Sequence, residues 1–268
     1  MTNRAAFFDL DKTLVPGSSL FLFARGLYER DMTRVRDIIR FAAGQASFVL
    51  MGSERESGMK SSREAALEFV KGRSQEELRA LGREISEERI LPRVYPDIAN
   101  VISQHCESGD HTYLVTATPV EVAEVVANGL GMTGALGTIS ELDDEGRYTG
   151  ALIGDILHGP AKAKAVAELA GRKGYDLREC AAYSDSINDL PLLESVGHPH
   201  AVNPDRSLLR TSRARGWPVH ELRTRRRTLL IGIPSTLGGV TLFASGVAVG
   251  GWLARRGQKK SGLRLGRG

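Results

Sequence analysis

Cysteine is scarce: Cys106 and Cys180 are the only two in 268 residues, and they form no CxxC pair. That excludes a disulfide framework and a dithiol redox motif, and it fits a reducing compartment. No internal repeat recurs. The first hydrophobic run is interrupted by Asp9 and Asp11, so an apolar signal region is not expected. His198-Pro199-His200 lacks a third metal ligand at useful spacing and reads as a loop beside a strand rather than a zinc site. The basic stretch 206–227 contains one aromatic, Trp217, and so lacks the interleaved rings of a nucleic-acid binder. No nucleic-acid partner is expected.

Charge is unevenly spread. The formal net charge of +4 conceals 14 Lys/Arg against two acids from Asp205 onward, which leaves 22 bases against 30 acids in residues 1–204. The body is acidic and the tail basic, so the high pI belongs to the tail. Residues 228–254 carry no charge at all, with Arg225-Arg226-Arg227 before them and Arg255, Arg256, Lys259 and Lys260 after. Twenty-seven residues at about 1.5 Å each would cross a hydrocarbon core of roughly 30 Å. A C-terminal transmembrane segment with a basic flank against anionic lipid is expected there.

The remainder reads as strands alternating with helices, an α/β pattern with a parallel sheet. Apolar runs at 5–8, 111–115, 180–183 and 200–202 are the expected core strands. Leu136–Ser140 and 147–152 flank a turn, Asp143-Asp144-Glu145-Gly146, and suggest a hairpin. Helices are expected over 97–108, 121–130 and 161–171. Residues 18–91 look helical throughout, with Ser74 as an N-cap ahead of Glu76 and Glu77, and the uncharged run 41–52 as a core helix of that insert.

Two acidic stretches carry the chemistry. Asp9-Leu10-Asp11-Lys12-Thr13 follows the first apolar run, and Ser184-Asp185-Ser186-Ile187-Asn188-Asp189 follows a later one. Carboxyl ends of strands are where open α/β sheets bind ligands. On an extended strand residues i and i+2 share a side, so Asp9 and Asp11 fall in one site. Four carboxylates together repel one another unless a hard cation neutralises them, and Mg²⁺ is the usual oxygen-liganded choice. Taken singly, these residues have plainer readings: Asp185 and Asp189 as helix caps, Thr116 as a strand-end hydroxyl, Lys162 as a solvated helix lysine.

The Asp9-Leu10-Asp11-Lys12-Thr13 run matches the DxDxT signature of the haloacid dehalogenase (HAD) superfamily. Leu114-Val115-Thr116, Lys162 after Gly159-Pro160-Ala161, and the Asp185/Asp189 pair match its other motifs in order. Residues 183–193, 146–150 and Gly197-His198-Pro199 resemble its subfamily IB, around phosphoserine phosphatase. The resemblance covers residues 1 to about 220. It implies a Rossmann-like core (residues 1–17 and 93–222), an inserted α-helical cap (18–92), and then the basic flank and anchor (223–268). It also implies that Asp9 is a nucleophile forming an aspartyl-phosphate and that Asp11 is the general acid/base. Thr116 and Lys162 would bind the phosphoryl group. Mg²⁺ would sit on Asp9, Asp185 and the Asp11 main-chain carbonyl, with Asp189 outside them holding a metal-bound water or orienting Lys162. Lys164 competes with Lys162 for the motif position. Ser186 and Asn188 read as loop-bracing residues.

Two positions depart from phosphoserine phosphatases. Ala117 replaces a Gly-Gly pair after Thr116, and Ser18 stands where a cap acid would read the substrate amine; Arg63 is not in clear register for the substrate carboxylate. The implied activity is a Mg²⁺-dependent phosphomonoesterase acting on a small phosphorylated metabolite. A lipid or lysophospholipid phosphate phosphatase is the alternative, and a membrane-tethered non-catalytic scaffold a third reading. The expected location is the cell membrane, single-pass, with the catalytic domain cytoplasmic; a weak homodimer is left open.

Overall fold

A computed structural model of the chain describes residues 3–30, 67 and 70–222. Ala5–Phe8 (β1) is buried along its whole length, as expected of a central strand in a sheet covered on both faces. It pairs in parallel with His111–Pro119 (β2) on one side and Ala181–Ser184 (β6) on the other. Gly134–Thr138 (β3) extends the sheet beyond β2; His198–Val202 (β7) and Val219–His220 (β8) extend it beyond β6. The order is β3-β2-β1-β6-β7-β8. Chain progression therefore reverses between β1 and β6, which is the switch point of a doubly wound sheet.

Alternation along β1 sorts the core into two layers. Ala6 and Phe8 join Leu114, Tyr183 and Val202 under Pro96–Glu107 (α3) and Val120–Gly129 (α4), through Ile98, Ile102, Val122 and Val126. Ala5 and Phe7 join Tyr113, Val115 and Ala182 under Pro160–Lys173 (α5), Leu190–Glu194 (α6) and Arg206–Arg215 (α7), through Val166, Leu192, Leu193 and Leu208. Each fully buried large apolar side chain contributes roughly 1.5–3 kcal/mol.

A third cluster lies apart from the sheet. Ser19–Glu29 (α1) and Gln75–Ile85 (α2) share Leu27, Leu78, Leu81 and Ile85 with Tyr148. Ser74 caps α2 as expected, its Oγ accepting from Glu77 N at 3.1 Å. The block 18–91 is not helical throughout, however. Residues 71–74 form a turn and an extended step, and a π-helical turn, Ser86–Ile90, follows α2. The uncharged run 41–52 lies outside the described residues.

The hairpin forms, with a different first strand. Thr138 ends β3: its hydroxyl donates to Ala117 O at 2.7 Å and accepts from Leu157 N at 3.1 Å. The chain then leaves the main sheet, and Ser140–Leu142 (β4) pairs antiparallel with Tyr148–Leu152 (β5). The expected strand Leu136–Ser140 thus spans parts of two strands in two sheets. Although 140–152 falls in the core by sequence position, the hairpin hydrogen-bonds to residues 72–75. Gly72 N donates to Tyr148 O at 2.8 Å, Tyr148 N to Arg73 O at 3.0 Å, and Gln75 N to Gly146 O at 3.0 Å.

The strand expected at 200–202 forms but starts two residues earlier, so that His198 and Pro199 belong to β7 rather than to a loop, and His200 stacks on Tyr183 with centroids 4.5 Å apart. Two elements were not anticipated: α7, within the stretch read only as basic, and β8. Among the described residues no helix is long and apolar enough to cross a membrane. The expected span 228–254 lies outside them.

Candidate active site

The site forms where β1 and β6 end side by side. Asp9 follows β1 directly, and its N–H still belongs to the sheet, donating to Tyr183 O at 2.9 Å. Beyond it the chain turns back: Leu14 N and Val15 N both return to Leu10 O, and Lys12 N reaches Gly17 O at 3.1 Å. The turn is tight enough to put Lys12 at φ +59°.

Asp9 is 6% exposed and both its oxygens are engaged. Lys162 Nζ donates to Oδ1 at 2.5 Å, and Thr13 Oγ1 to Oδ2 at 3.0 Å. The same ammonium donates to Asp189 Oδ2 at 2.7 Å, which also accepts from Ser184 Oγ at 2.7 Å. Lys162 reaches this position because α5 starts hard against the second acidic loop. Gly159, the residue before α5, has φ +56°, and a Cβ there would sit 3.3 Å from Asn188 O. Lys162 is buried, whereas Lys164, two residues along the helix, is exposed.

Burial raises Asp9 to about 6; Lys162 opposes the rise, while Asp189 and Asp11 add to it. Lys162 itself shifts upward: burial disfavours its charge, but Asp9 and Asp189 together outweigh that cost. Asp11 is also raised, by burial, against hydrogen bonds from Ser19 that favour the carboxylate. The ordinary ion pair of an exposed lysine would shift nothing comparable; here the charges are held out of water.

Asp11 Oδ1 accepts from Ser19 N at 2.7 Å, at the start of α1. Thr116 is buried inside β2, which continues to Pro119 instead of ending at the threonine. Its hydroxyl donates to Thr118 Oγ1 at 3.1 Å, and that hydroxyl meets Ser19 Oγ at 2.8 Å. A run of three hydroxyls therefore links Thr116 to the residue that holds Asp11. Asp185 lies across the site, with Lys12 Nζ 3.9 Å from its Oδ2.

The plainer reading of Asp189 as a helix cap does not hold. It precedes α6 without a side-chain capping bond, and its carboxylate goes to Lys162 and Ser184 instead. The local capping bond comes from Ser186, whose Oγ accepts from Asn188 N at 3.2 Å. Ser18 is likewise engaged within its own helix, capping α1 by accepting from Phe21 N.

The expected gathering of carboxylates needs one correction. Among the described residues no three His, Cys, Asp or Glu side chains form a metal cage. An ammonium, Lys162, supplies part of the neutralisation assigned to the cation. The donors that remain are nevertheless of the right kind for Mg²⁺: carboxylate oxygens of Asp9 and Asp185 and the Asp11 carbonyl, a short set that leaves room for water. Asp189 Oδ1 is buried and has no hydrogen-bond partner among the described residues. An acceptor left unfilled at that depth costs roughly 1–3 kcal/mol, and a hydrated cation nearby would supply the missing donor. The residues fit the ion.

The family model of haloacid dehalogenase-like hydrolases matches residues 6–194. The chain belongs to that family. Phosphoserine phosphatase SerB1 of Mycobacterium tuberculosis is 45% identical over 252 residues, covering 94% of this chain and 80% of that protein. A histidinol-phosphatase of Neisseria meningitidis serogroup C is 36% identical over 149 residues, 54% of this chain and 67% of its own length. A solved protein of unknown function from Bordetella pertussis Tohama I superposes with a TM-score of 0.72 at 31% identity, covering 83% of this chain and all of that one. This haloacid dehalogenase-like hydrolase is thus an enzyme, and the scaffold reading is set aside.

Sequence reasoning missed several residues of the hydrolase site. Thr13 stood inside the quoted motif without a role. Ser184 and Ser19 are small hydroxyls whose partners are fixed only by the fold. Lys12 gave no signal beyond its place between the two aspartates and the motif threonine. His158, next to Gly159, is held below the usual histidine range by burial.

Proposed function

We propose that the chain is a Mg²⁺-dependent phosphomonoesterase working through an aspartyl-phosphate on Asp9. The observation that carries this is the buried Asp9–Lys162–Asp189 triad at the mouth of β1, with Asp11 two residues on and separately held by Ser19. The buried ammonium offsets the burial of both carboxylates, as any buried ion pair must. As a nucleophile facing an anionic phosphoryl group, Asp9 needs that ammonium as well.

Asp9 attacks phosphorus through a carboxylate oxygen, and the ester P–O bond breaks. Asp11, whose raised affinity for a proton suits an acid, delivers that proton to the leaving alkoxide. Water then attacks the aspartyl-phosphate and yields its proton to Asp11; the acyl–phosphate P–O bond breaks, and inorganic phosphate leaves. Lys162 stays charged through both steps and offsets the negative charge shared by Asp9 and the phosphoryl group. Thr116, its hydroxyl turned away from Thr118 when substrate is bound, would donate to phosphoryl oxygen. Mg²⁺, held by Asp9, Asp185 and the Asp11 carbonyl with Asp189 beyond them, would supply further charge neutralisation.

Both named relatives point to small substrates. Phosphoserine and histidinol phosphate are each primary phosphate esters with an amino group on the adjacent carbon. That shared fragment is the substrate class we favour, over a lipid head group. Ser18 offers no acid for the amine, so any carboxylate reading it comes from elsewhere. The test is phosphate release from phosphoserine, histidinol phosphate and a wider panel, with Mg²⁺ and with EDTA. Release should require Mg²⁺ and vanish in Asp9→Asn. No release from any ester, or full activity in the variant, would refute the reading.

A further inference from the structure

The backbone ladder fixes β1 and β6 side by side only as far as Asp9 and Ser184. Beyond those residues the two acidic loops leave the sheet, and something else must set the distance between them. The turn after β7, Asn203-Pro204-Asp205, reaches both. Asn203 Nδ2 donates to the Lys12 carbonyl at 3.0 Å, inside the first loop. Two residues on, Asp205 N donates to the Asp185 carbonyl at 2.8 Å, and Asp205 Oδ2 accepts from Ile187 N at 2.8 Å, both in the second loop.

The turn is itself anchored. Asn203 N donates to His220 O and Asn203 Oδ1 accepts from Leu222 N, each at 2.8 Å, tying it to the edge strand β8. Asp205 Oδ1 caps α7 through Ser207 N and Leu208 N, again at 2.8 Å. Capping uses one carboxylate oxygen; the other holds Ile187.

Backbone strain marks the same contact. Among the described residues, two non-glycine residues have positive φ: Lys12 at +59° and Asn203 at +46°. They are the two ends of the hydrogen bond that joins β7 to the first loop. A left-handed conformation costs a residue such as Lys12 roughly 1–2 kcal/mol and is tolerated better by Asn, and such strain persists where surrounding structure over-determines it.

We propose that Asn203 and Asp205 form a brace that sets the spacing of the Asp11 and Asp185 loops, and with it the affinity of the site for its divalent cation. Both are positioning residues; neither touches the reacting atoms. The proposal rests on the phosphatase reading above for the identity of the cation.

Asn203→Gly keeps the left-handed backbone at no steric cost and deletes both side-chain bonds. Asp205→Asn keeps an oxygen for the helix cap but turns an amide N–H₂ toward Ile187 N–H, so that strut is lost. Asp176→Asn, at the cap of the turn Leu177–Glu179 and bonded through its N–H to Asn3 O ahead of β1, is the control. Mg²⁺ binding is measured calorimetrically on the full chain without substrate, alongside kcat as a function of Mg²⁺ and the Tm of metal-free protein.

Each brace variant should bind Mg²⁺ about tenfold more weakly, the lower end of what supporting residues contribute around metal ligands. Metal-free Tm should fall by no more than about 4 °C, the shift of ~1 kcal/mol in a domain near this size. Excess Mg²⁺ should restore most of kcat. Parent protein that binds no Mg²⁺ would overturn the metal reading and the brace with it. Parent that binds Mg²⁺, with both folded variants binding within twofold of it, would overturn the brace alone. A loss of kcat that saturating Mg²⁺ leaves untouched would do the same.

Discussion

Replacing Lys162 by Met tests the charge logic of the site without touching a carboxylate. Lys162 Nζ lies 2.5 Å from Asp9 Oδ1 and 2.7 Å from Asp189 Oδ2, and all three side chains are less than a tenth exposed. Met fills much the same volume, so packing changes little. What disappears is a cation bonded to two buried anions. Removing a single partner from a buried pair costs about 3–5 kcal/mol, because the charge left behind is uncompensated. Thr13 and Ser184 still donate one bond each to the two carboxylates, which favours the lower end.

The cost should depend on pH, and its direction is fixed. Asp9 is already raised to about 6 with Lys162 beside it, and losing that ammonium pushes it higher. The folded variant then holds a proton that the unfolded chain, titrating near 3.9, has released. Bound protons in the native state exceed those in the unfolded state, so stability falls as pH rises through that window and recovers on acidification. Urea unfolding of metal-free protein, followed by tryptophan fluorescence, should show the full deficit at pH 7.5. The gap to the parent should narrow by ~1–2 kcal/mol at pH 5.5. Lys164→Met, at an exposed position of the same helix, should stay within about 0.5 kcal/mol at both values. Equal losses for the two lysines, or a Lys162→Met deficit indifferent to pH, would refute the argument.

Other consequences follow from single contacts. Tyr148→Phe removes the 2.7 Å bond from the phenol to Glu121 Oε1 and leaves a buried carboxylate oxygen, for a loss of roughly 1–3 kcal/mol in the same urea assay. Gly159→Ala must adopt φ +56° with its Cβ 3.3 Å from Asn188 O; kcat should drop more than Tm, since α5 carries Lys162, and a variant with parental turnover would count against that link. Burial lowers His200 to about 4, so the fold excludes a proton that the unfolded chain binds below the ordinary value of 6.5. Stability from this group is complete above 6.5 and is lost as pH falls toward 4; His200→Phe, which keeps the stack on Tyr183, should flatten that part of the pH–stability curve.

Four of the residues legible in the sequence share one property: each sits in a contiguous motif at the place where an apolar run opens into a loop. Asp9, Asp11, Asp185 and Asp189 were visible for that reason, and Lys162 by its distance from Gly159. The parallel sheet was legible because short, largely apolar runs at β1, β2 and β6 alternate with helical stretches. Where a role depends on register between distant strands, local pattern carries no trace of it. Asn203 meets Lys12 across 191 residues of chain, and nothing near either residue announces the other. α7 was hidden because arginines occupy its exposed positions and leave Leu208 and Ser212 as its buried face. β8, two residues long, is too short for any period to register. The hairpin was seen, but with the wrong first strand, because nothing in the stretch 136–140 marks the point where Thr138 closes β3 and the chain changes sheet. The same reasoning accounts for Asp189. An acid before a short helix looks like a cap, and only the arrival of Lys162 from α5 gives its carboxylate a stronger partner than the helix N-terminus. A motif therefore names candidate groups, while the bonds that hold those groups in place come from whichever strand the fold has brought alongside.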